Sequence, residues 1–280
     1  MVRGLVLRGV AAGALAGLVA FIFARIFAEP LIQAAIDYES GRDDAKNALL
    51  VAAGSSPEPA GPDIFSRAIQ GNLGIGVGMI AFGVAVGCFF AVAFCMSYGR
   101  TGRIRPRQLS LLVALAGFVT MYLVPFIKYP ANPPAVGNPD TIGDRSGLYL
   151  VMIVASVVFA VVAVGIGQRL QPRFGTWNST LLGILSFIVL CGIVMALLPA
   201  LGQLSPNADL SGSLLTETPQ PLKDPSGAIV YPGFDADLLF KFRLYSLGAQ
   251  AILWTVIGLV FAPLADKVFA RHPDQAFAAV

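Results

Sequence analysis

Long apolar runs separated by polar segments dominate this 280-residue chain. An α-helix needs about 20 apolar residues to cross the hydrocarbon core of a bilayer. Six runs reach that length, at roughly 5–27, 73–97, 109–128, 148–169, 179–199 and 243–263. They are too long and too continuous for the strands of a membrane barrel. The pattern therefore predicts an all-α integral membrane protein, a bundle of about six transmembrane helices in a single polytopic domain over residues 1–280.

The composition agrees with a chain surrounded by membrane lipids. Only 12% of the residues are charged, about half the fraction of a typical soluble domain. The net charge of +3 indicates no nucleic-acid partner, and all three cysteines lie inside apolar runs, as packed thiols would. The sequence contains no P-loop, GxSxG or HExxH motif. We therefore expect no enzymatic activity and no bound cofactor.

The first run has two interpretations. Its basic start, apolar middle and small residues resemble a secretory signal peptide. We expect an uncleaved span instead, because the apolar stretch is long and Arg25 interrupts the region where cleavage would occur. Cleavage would leave five spans.

Arginine and lysine are distributed unevenly among the connecting segments, and such residues favour the cytoplasmic side. With six spans, the basic segments fall on one side, and 14 of the 16 acidic residues fall on the other. Both termini are then cytoplasmic. The outer face carries three loops, of which 29–71 and 200–242 are expected to be partly flexible and the proline-rich 128–147 rigid.

A charged pair marks the outer end of the first span. Arg25 and Glu29 are one helical turn apart, so the first interpretation is an interfacial anchor that neutralises itself. The second is that Glu29, followed by Pro30, is a cation-attracting carboxylate at a pore mouth, because charges near the membrane are functional candidates.

The segment VPFIKYPANPPAVGNPDTIGDRSGLY, residues 124–149, contains five prolines. Pro125 is expected to kink the third span or free a carbonyl, and the following prolines hold the chain extended. This stiffness suits a rigid lip at the mouth of a pathway, with Asp140 and Asp144 as entry carboxylates; ordinary hairpin turn chemistry is the alternative. The expected structural or gating residues here are Pro125, Lys128, Tyr129, Pro130, Asn132, Pro133 and Pro134.

The sixth span begins with basic residues on the outer side. Arg243 opposes the overall charge trend, so we expect an acidic partner, with Asp235, Asp237 or Glu29 as candidates. Gln250 lies inside the span, where an amide usually hydrogen-bonds to a neighbouring helix.

Small residues recur along the spans. Gly9, Gly13 and Gly17 repeat every four residues on the first span. Further glycines mark the second span and the fourth, at Gly74, Gly78 and Gly87 and at Gly165 and Gly167. Small residues at this spacing let membrane helices approach closely, which favours a compact bundle or a homo-oligomer.

Three segments together resemble the CbtA family of proposed cobalt transporter subunits. They are RGVAAGALAGLVAFIFARIFAEP, the stretch from YGRTGRIRPRQ through KYPANPPAVGNPDTI to SGLYL, and WNSTLLGILSFIV with FKFRLYSLGAQAILW. The KYPANPPAVGNPDTI element is the most specific of these. The resemblance implies an inner-membrane protein of cobalt uptake for cobalamin synthesis and a small single-span partner of the CbtB type that bears histidines.

Two functions follow as hypotheses. In the first, the chain passes a divalent cation inward, cobalt(II) as the family implies, with Glu29, Asp140 and Asp144 as oxygen ligands and imidazoles from the partner. In the second, it is a membrane scaffold that docks a metal-binding partner and has no pathway of its own.

Overall fold

The computed structural model describes residues 2–57, 66–100, 102, 104–207 and 216–270. Six long helices lie in this part of the chain. They are α1 (Val2–Phe27), α2 (Glu29–Ala52), α3 (Arg67–Ser97), α4 (Pro106–Lys128), α5 (Ile142–Leu197) and α6 (Ala236–Ala270). Three short 3₁₀ turns (Pro139–Thr141, Leu201–Gln203, Ser205–Asn207) and a hairpin of β1 (Leu222–Lys223) and β2 (Ile229–Tyr231) complete it.

Five helices, all except α2, are long and apolar enough to cross a membrane. The prediction of an all-α membrane protein is confirmed. Helix α5 contains two of the six apolar runs. Between these runs the chain turns at Gly175, whose backbone has a left-handed conformation (φ 73°, ψ 169°) that favours glycine. A side chain at Gly183 would lie 2.9 Å from the Ala163 carbonyl oxygen, so the two halves of α5 fold back on each other.

The described residues form two compact units. One comprises 1–30, 61–119 and 244–280, and the other comprises 31–60 and 120–243.

In the first unit, α1 packs against α3 through facing glycines. A Cβ at Gly9 would clash with the backbone of Gly87, and one at Gly13 would clash with the backbone of Gly83. Gly17 meets the α3 backbone in the same way. The close approach predicted for the glycines of the first span is thus present, and Gly83 is a contributor that the sequence analysis did not single out.

In the second unit, the end of α4 packs against α5 near Pro125. The residues Val119–Leu123 form a π-turn immediately before this proline, which lacks the N–H that would otherwise bond to a carbonyl one turn back. The buried Ser156 hydroxyl donates to the Thr120 carbonyl oxygen. A side chain of α5 thus supplies a donor to a carbonyl of this π-turn, and the kink or freed carbonyl expected from Pro125 stays a prediction.

The two longer segments predicted to lie on the outer face contain more regular structure than their composition indicated. Helix α2 occupies Glu29–Ala52 of the 29–71 segment, with Pro30 in its first turn, where proline is tolerated. It ends in a Schellman motif: Gly54 has φ 80°, and the Ser55 amide donates to the Leu50 carbonyl. The 200–242 segment contains the β1–β2 hairpin. Both segments extend over residues outside the described part of the chain, at 58–65 and 208–215.

Candidate functional site

The proline-rich segment is anchored from both ends in the second unit. Val136 is buried with Ala35 of α2 and with Phe234 and Leu239, which precede and begin α6. After this anchor, Asn138 caps the 3₁₀ turn by accepting the Asp140 amide with its side-chain oxygen. The segment thus leads through this capped turn directly into the first turn of α5.

A buried carboxylate organises this region. The Glu217 side chain is 1% exposed. Its Oε1 accepts hydrogen bonds from the Thr141 hydroxyl at 2.6 Å and the Asn207 amide at 2.7 Å. Asn207 also accepts from the Asn138 amide at 2.9 Å. The proline-rich segment and the later segment that contains Asn207 therefore meet at one glutamate.

Arg145 supplies the opposite charge. Its Nη1 lies 3.6 Å from Glu217 Oε2, and its Nη2 donates to the Asn138 carbonyl at 3.3 Å. Gly137 makes room for this arginine, because a Cβ at that position would collide with the guanidinium and the backbone has φ 133°. Glu217 Oε2 and Arg145 Nε are both buried without a hydrogen-bond partner in the described part of the chain. The pair is close enough for attraction but incompletely bonded.

A cavity of about 480 Å³ adjoins Arg145 in the second unit. Its polar lining includes Tyr129, Asn132 and Ser146, and its apolar lining includes Ile142 and Leu150. Tyr129 donates to the Pro199 carbonyl at 2.9 Å, and burial raises the pKa of its phenol, so it stays neutral. Three of the predicted gating residues, Tyr129, Pro130 and Asn132, thus line one cavity. Arg145, which was not among the predicted site residues, lines the same cavity.

The prediction that Arg243 pairs with an acidic residue was wrong. Arg243 donates to the Asn132 side-chain oxygen at 2.8 Å and to the Ala131 carbonyl at 3.3 Å. Its charge is therefore held by neutral acceptors of the proline-rich segment instead of Asp235 or Asp237. Asp235 caps the start of α6 instead, since its carboxylate accepts the amides of the next residues.

The remaining predicted residues of this segment have simpler environments. Asp140 and Asp144 are exposed, and the Lys128 amine lies 5.8 Å from the Tyr129 ring centroid. Pro133 is buried and Pro134 is half-buried. The two aspartates therefore contribute charge at the surface, whereas Glu217 is the enclosed carboxylate.

The first unit contains a second enclosed glutamate, Glu29. It is 8% exposed and forms an ion pair with Arg67 through Oε1. Its other oxygen, Oε2, is buried and accepts no hydrogen bond from the described residues. The predicted pairing of Glu29 with Arg25 was wrong: Arg25 is exposed and donates to the Asn72 side chain at 2.9 Å. Helix α1 ends at Phe27 and α2 begins at Glu29, so the two residues are not neighbours on one continuous helix.

The backbone of α3 packs directly against the Glu29 carboxylate. The residues Gln70–Gly74 form a π-turn, a feature often found at functional sites. Gly71 is buried in this turn, and a Cβ there would overlap Glu29 Oε1. Only glycine at this position lets the helix approach the carboxylate so closely.

A protein-family model described as "Probable cobalt transporter subunit (CbtA)" matches residues 2–266. The chain belongs to the CbtA family. No curated protein and no solved structure matches the chain. The resemblance of the three sequence segments to this family is thereby confirmed. The family description is that of a transporter subunit.

For this CbtA-family chain, the structure adds residues that sequence reasoning missed. Arg67, Arg145 and Glu217 take part in the two enclosed pairs, although nothing in their local sequence distinguishes them from other charged residues of polar segments. Gln250 is half-buried, and its expected hydrogen bond to another helix stays a prediction. Among the described residues, no group of three or more His, Cys, Asp or Glu side chains could hold a metal ion.

Proposed function

We propose that this protein is the membrane subunit of a cobalt(II) uptake system and passes the ion toward the cytoplasm. Its family is that of a probable cobalt transporter subunit. The observation that carries the finer assignment is Glu29: a buried carboxylate with one oxygen unbonded lies where the first membrane-spanning helix ends. Buried acceptors without partners are rare enough to require an explanation, and a transient cation is a chemically suitable one.

The acidic outer segments would serve as an approach zone. Asp140 and Asp144 are exposed, and surface carboxylates raise the local concentration of cations over about one Debye length. Inward movement of a divalent ion is favoured by the membrane potential, with about 2.3 kcal/mol per charge for each 100 mV. Cobalt(II) accepts oxygen and nitrogen ligands. Carboxylates of this chain would therefore be complemented by imidazoles from another subunit.

The family description calls the protein a subunit, which implies a partner protein. We propose a small single-span protein of the CbtB type with histidines, in the bacterial inner membrane, in a system that supplies cobalamin synthesis. The apolar window of the α5 region is only 11% buried within the chain. Lipid, a partner helix or a second copy of the chain would cover this surface.

The test is uptake of radioactive cobalt by whole cells that express the chain together with its partner. We expect the Glu29→Gln variant to reduce uptake at least tenfold, because the amide keeps the size of the side chain but removes its charge. The matched control is Glu39→Gln, since Glu39 is an exposed glutamate of the same helix. Equal loss in both variants, or no loss in either, would remove Glu29 from the pathway.

A second candidate function is a scaffold that docks a metal-binding partner without a pathway of its own. It is favoured by Arg67, which occupies one oxygen of the Glu29 carboxylate in this structure. Purified protein reconstituted alone into vesicles distinguishes the two, because a scaffold would give no cobalt flux under an inside-negative potential while still retaining its partner.

A further inference from the structure

Arg67 and Glu29 differ in how deeply they are enclosed. The arginine side chain is 29% exposed and the glutamate side chain 11%. Arg67 is therefore the more solvent-exposed member of the ion pair. Glu29 is the more enclosed member and lies against the π-turn at Gly71.

Arg67 contacts only one of the two oxygens of the Glu29 carboxylate. The ion pair engages Oε1, whereas Oε2 is buried and without a hydrogen bond from the described part of the chain. A guanidinium can engage both oxygens of a carboxylate at once, but here it does not. A divalent cation could bind both oxygens and also carries twice the charge.

We propose that Arg67 is a tethered counter-cation that occupies Glu29 in the resting state and is displaced when a divalent cation binds. This inference rests on the proposed transport function and adds its regulation. The side chain keeps the enclosed carboxylate neutralised when no ion is present, since an uncompensated buried charge is strongly destabilising. The bound ion and Arg67 then compete for the same carboxylate, and the arginine excludes cations that bind carboxylates weakly.

The competition has a measurable consequence. The apparent affinity of a ligand falls by the fraction of time that its site is available. If Arg67 occupies the carboxylate for about 90% of the time, its removal should lower the KM for cobalt about tenfold. A purely structural ion pair predicts the opposite, because its loss would disturb the site and raise the KM or reduce the amount of folded protein.

The experiment measures initial rates of cobalt uptake over a range of concentrations in cells with the chain and its partner, normalised to folded protein in the membrane. The variant is Arg67→Gln. The matched control is Arg107→Gln, because Arg107 also pairs with a carboxylate in the first unit, that of Asp266. We expect a lower KM for Arg67→Gln and an unchanged KM for Arg107→Gln.

Each result bears on one of the two proposals. An unchanged or higher KM for Arg67→Gln, with normal uptake by the wild type, overturns the displacement of Arg67 but leaves transport intact. Absence of chain-dependent uptake in the wild type overturns transport itself. If Arg67→Gln does not accumulate, Arg67→Lys replaces it, because lysine keeps the charge but loses the planar fork of donors. Its KM should then fall by a smaller factor, and an unchanged value would reject the inference.

Discussion

Replacement of Glu217 by alanine should destabilise the second unit by about 3 kcal/mol. The substitution removes the acceptor of two hydrogen bonds, at 2.6 Å from Thr141 and 2.7 Å from Asn207, and the negative charge 3.6 Å from Arg145. Loss of one partner from a buried ion pair typically costs about 3–5 kcal/mol. We take the lower end, because Arg145 is 26% exposed and water can solvate part of its charge.

The size of the effect should depend on what replaces the carboxylate. Glu217→Gln retains an oxygen that can accept from Thr141 and loses only the charge, so we expect about 1–2 kcal/mol. The assay is thermal unfolding of purified protein in detergent, followed by intrinsic fluorescence. At about 2–4 °C for each kcal/mol, the alanine variant should melt about 6–12 °C below the wild type.

Two controls make this reasoning refutable. Glu39→Ala removes an exposed glutamate of α2 in the same unit and should leave the melting temperature unchanged. The double variant Glu217→Gln with Arg145→Met removes both charges, so it should lose less stability than the sum of the two single changes. Melting of Glu217→Ala within about 1 °C of the wild type would show that the glutamate does not hold the proline-rich segment.

Four further variants test the packing. Gly13→Leu should prevent α1 from packing on α3, whereas Gly78→Leu on the open face of α3 should not; yield of folded protein on size-exclusion chromatography measures both. Ser156→Ala should lower stability by about 1–2 kcal/mol, because the Thr120 carbonyl loses a buried donor, and an unchanged melting temperature would contradict this. Gly137→Ala should destabilise the protein through its φ of 133° and the arginine beneath it, and protease sensitivity of the following turn reports the change.

Features set by local spacing could be predicted from the sequence. The apolar runs predicted the membrane class, and the four-residue repeat at Gly9 and Gly13 predicted the close helix contact. Helix α2 was not predicted, because its charged residues and Gly41 were interpreted as loop composition. Its Glu, Ala, Leu and Lys residues are nevertheless good helix formers. Average polarity is a poorer guide than helix propensity in a segment outside the lipid.

The enclosed pairs could not be predicted, because each joins residues far apart in the sequence. Glu29 and Arg67 are separated by 38 positions, and the Arg145 partner lies beyond a complete helical hairpin. The Arg25–Glu29 prediction failed for a different reason: an i, i+4 spacing implies contact only if one helix continues through both residues. Here the chain changes helix at Ala28, and each charge finds a partner in α3.

Burial divides the carboxylates of the polar segments into two kinds, and this difference limits what each carboxylate can do. Asp140 and Asp144 are exposed, so their attraction for a cation is screened by salt and extends over about 10 Å or less. Glu29 and Glu217 are enclosed, where electrostatic interactions are stronger and an uncompensated charge is costly. Each therefore has an arginine, and each retains one oxygen without a hydrogen bond from the described residues. Under the proposed function, a cation that binds Glu29 has to displace a positive charge already present, so the strength of the Glu29–Arg67 ion pair, more than the number of acidic residues, would set the affinity for the transported ion.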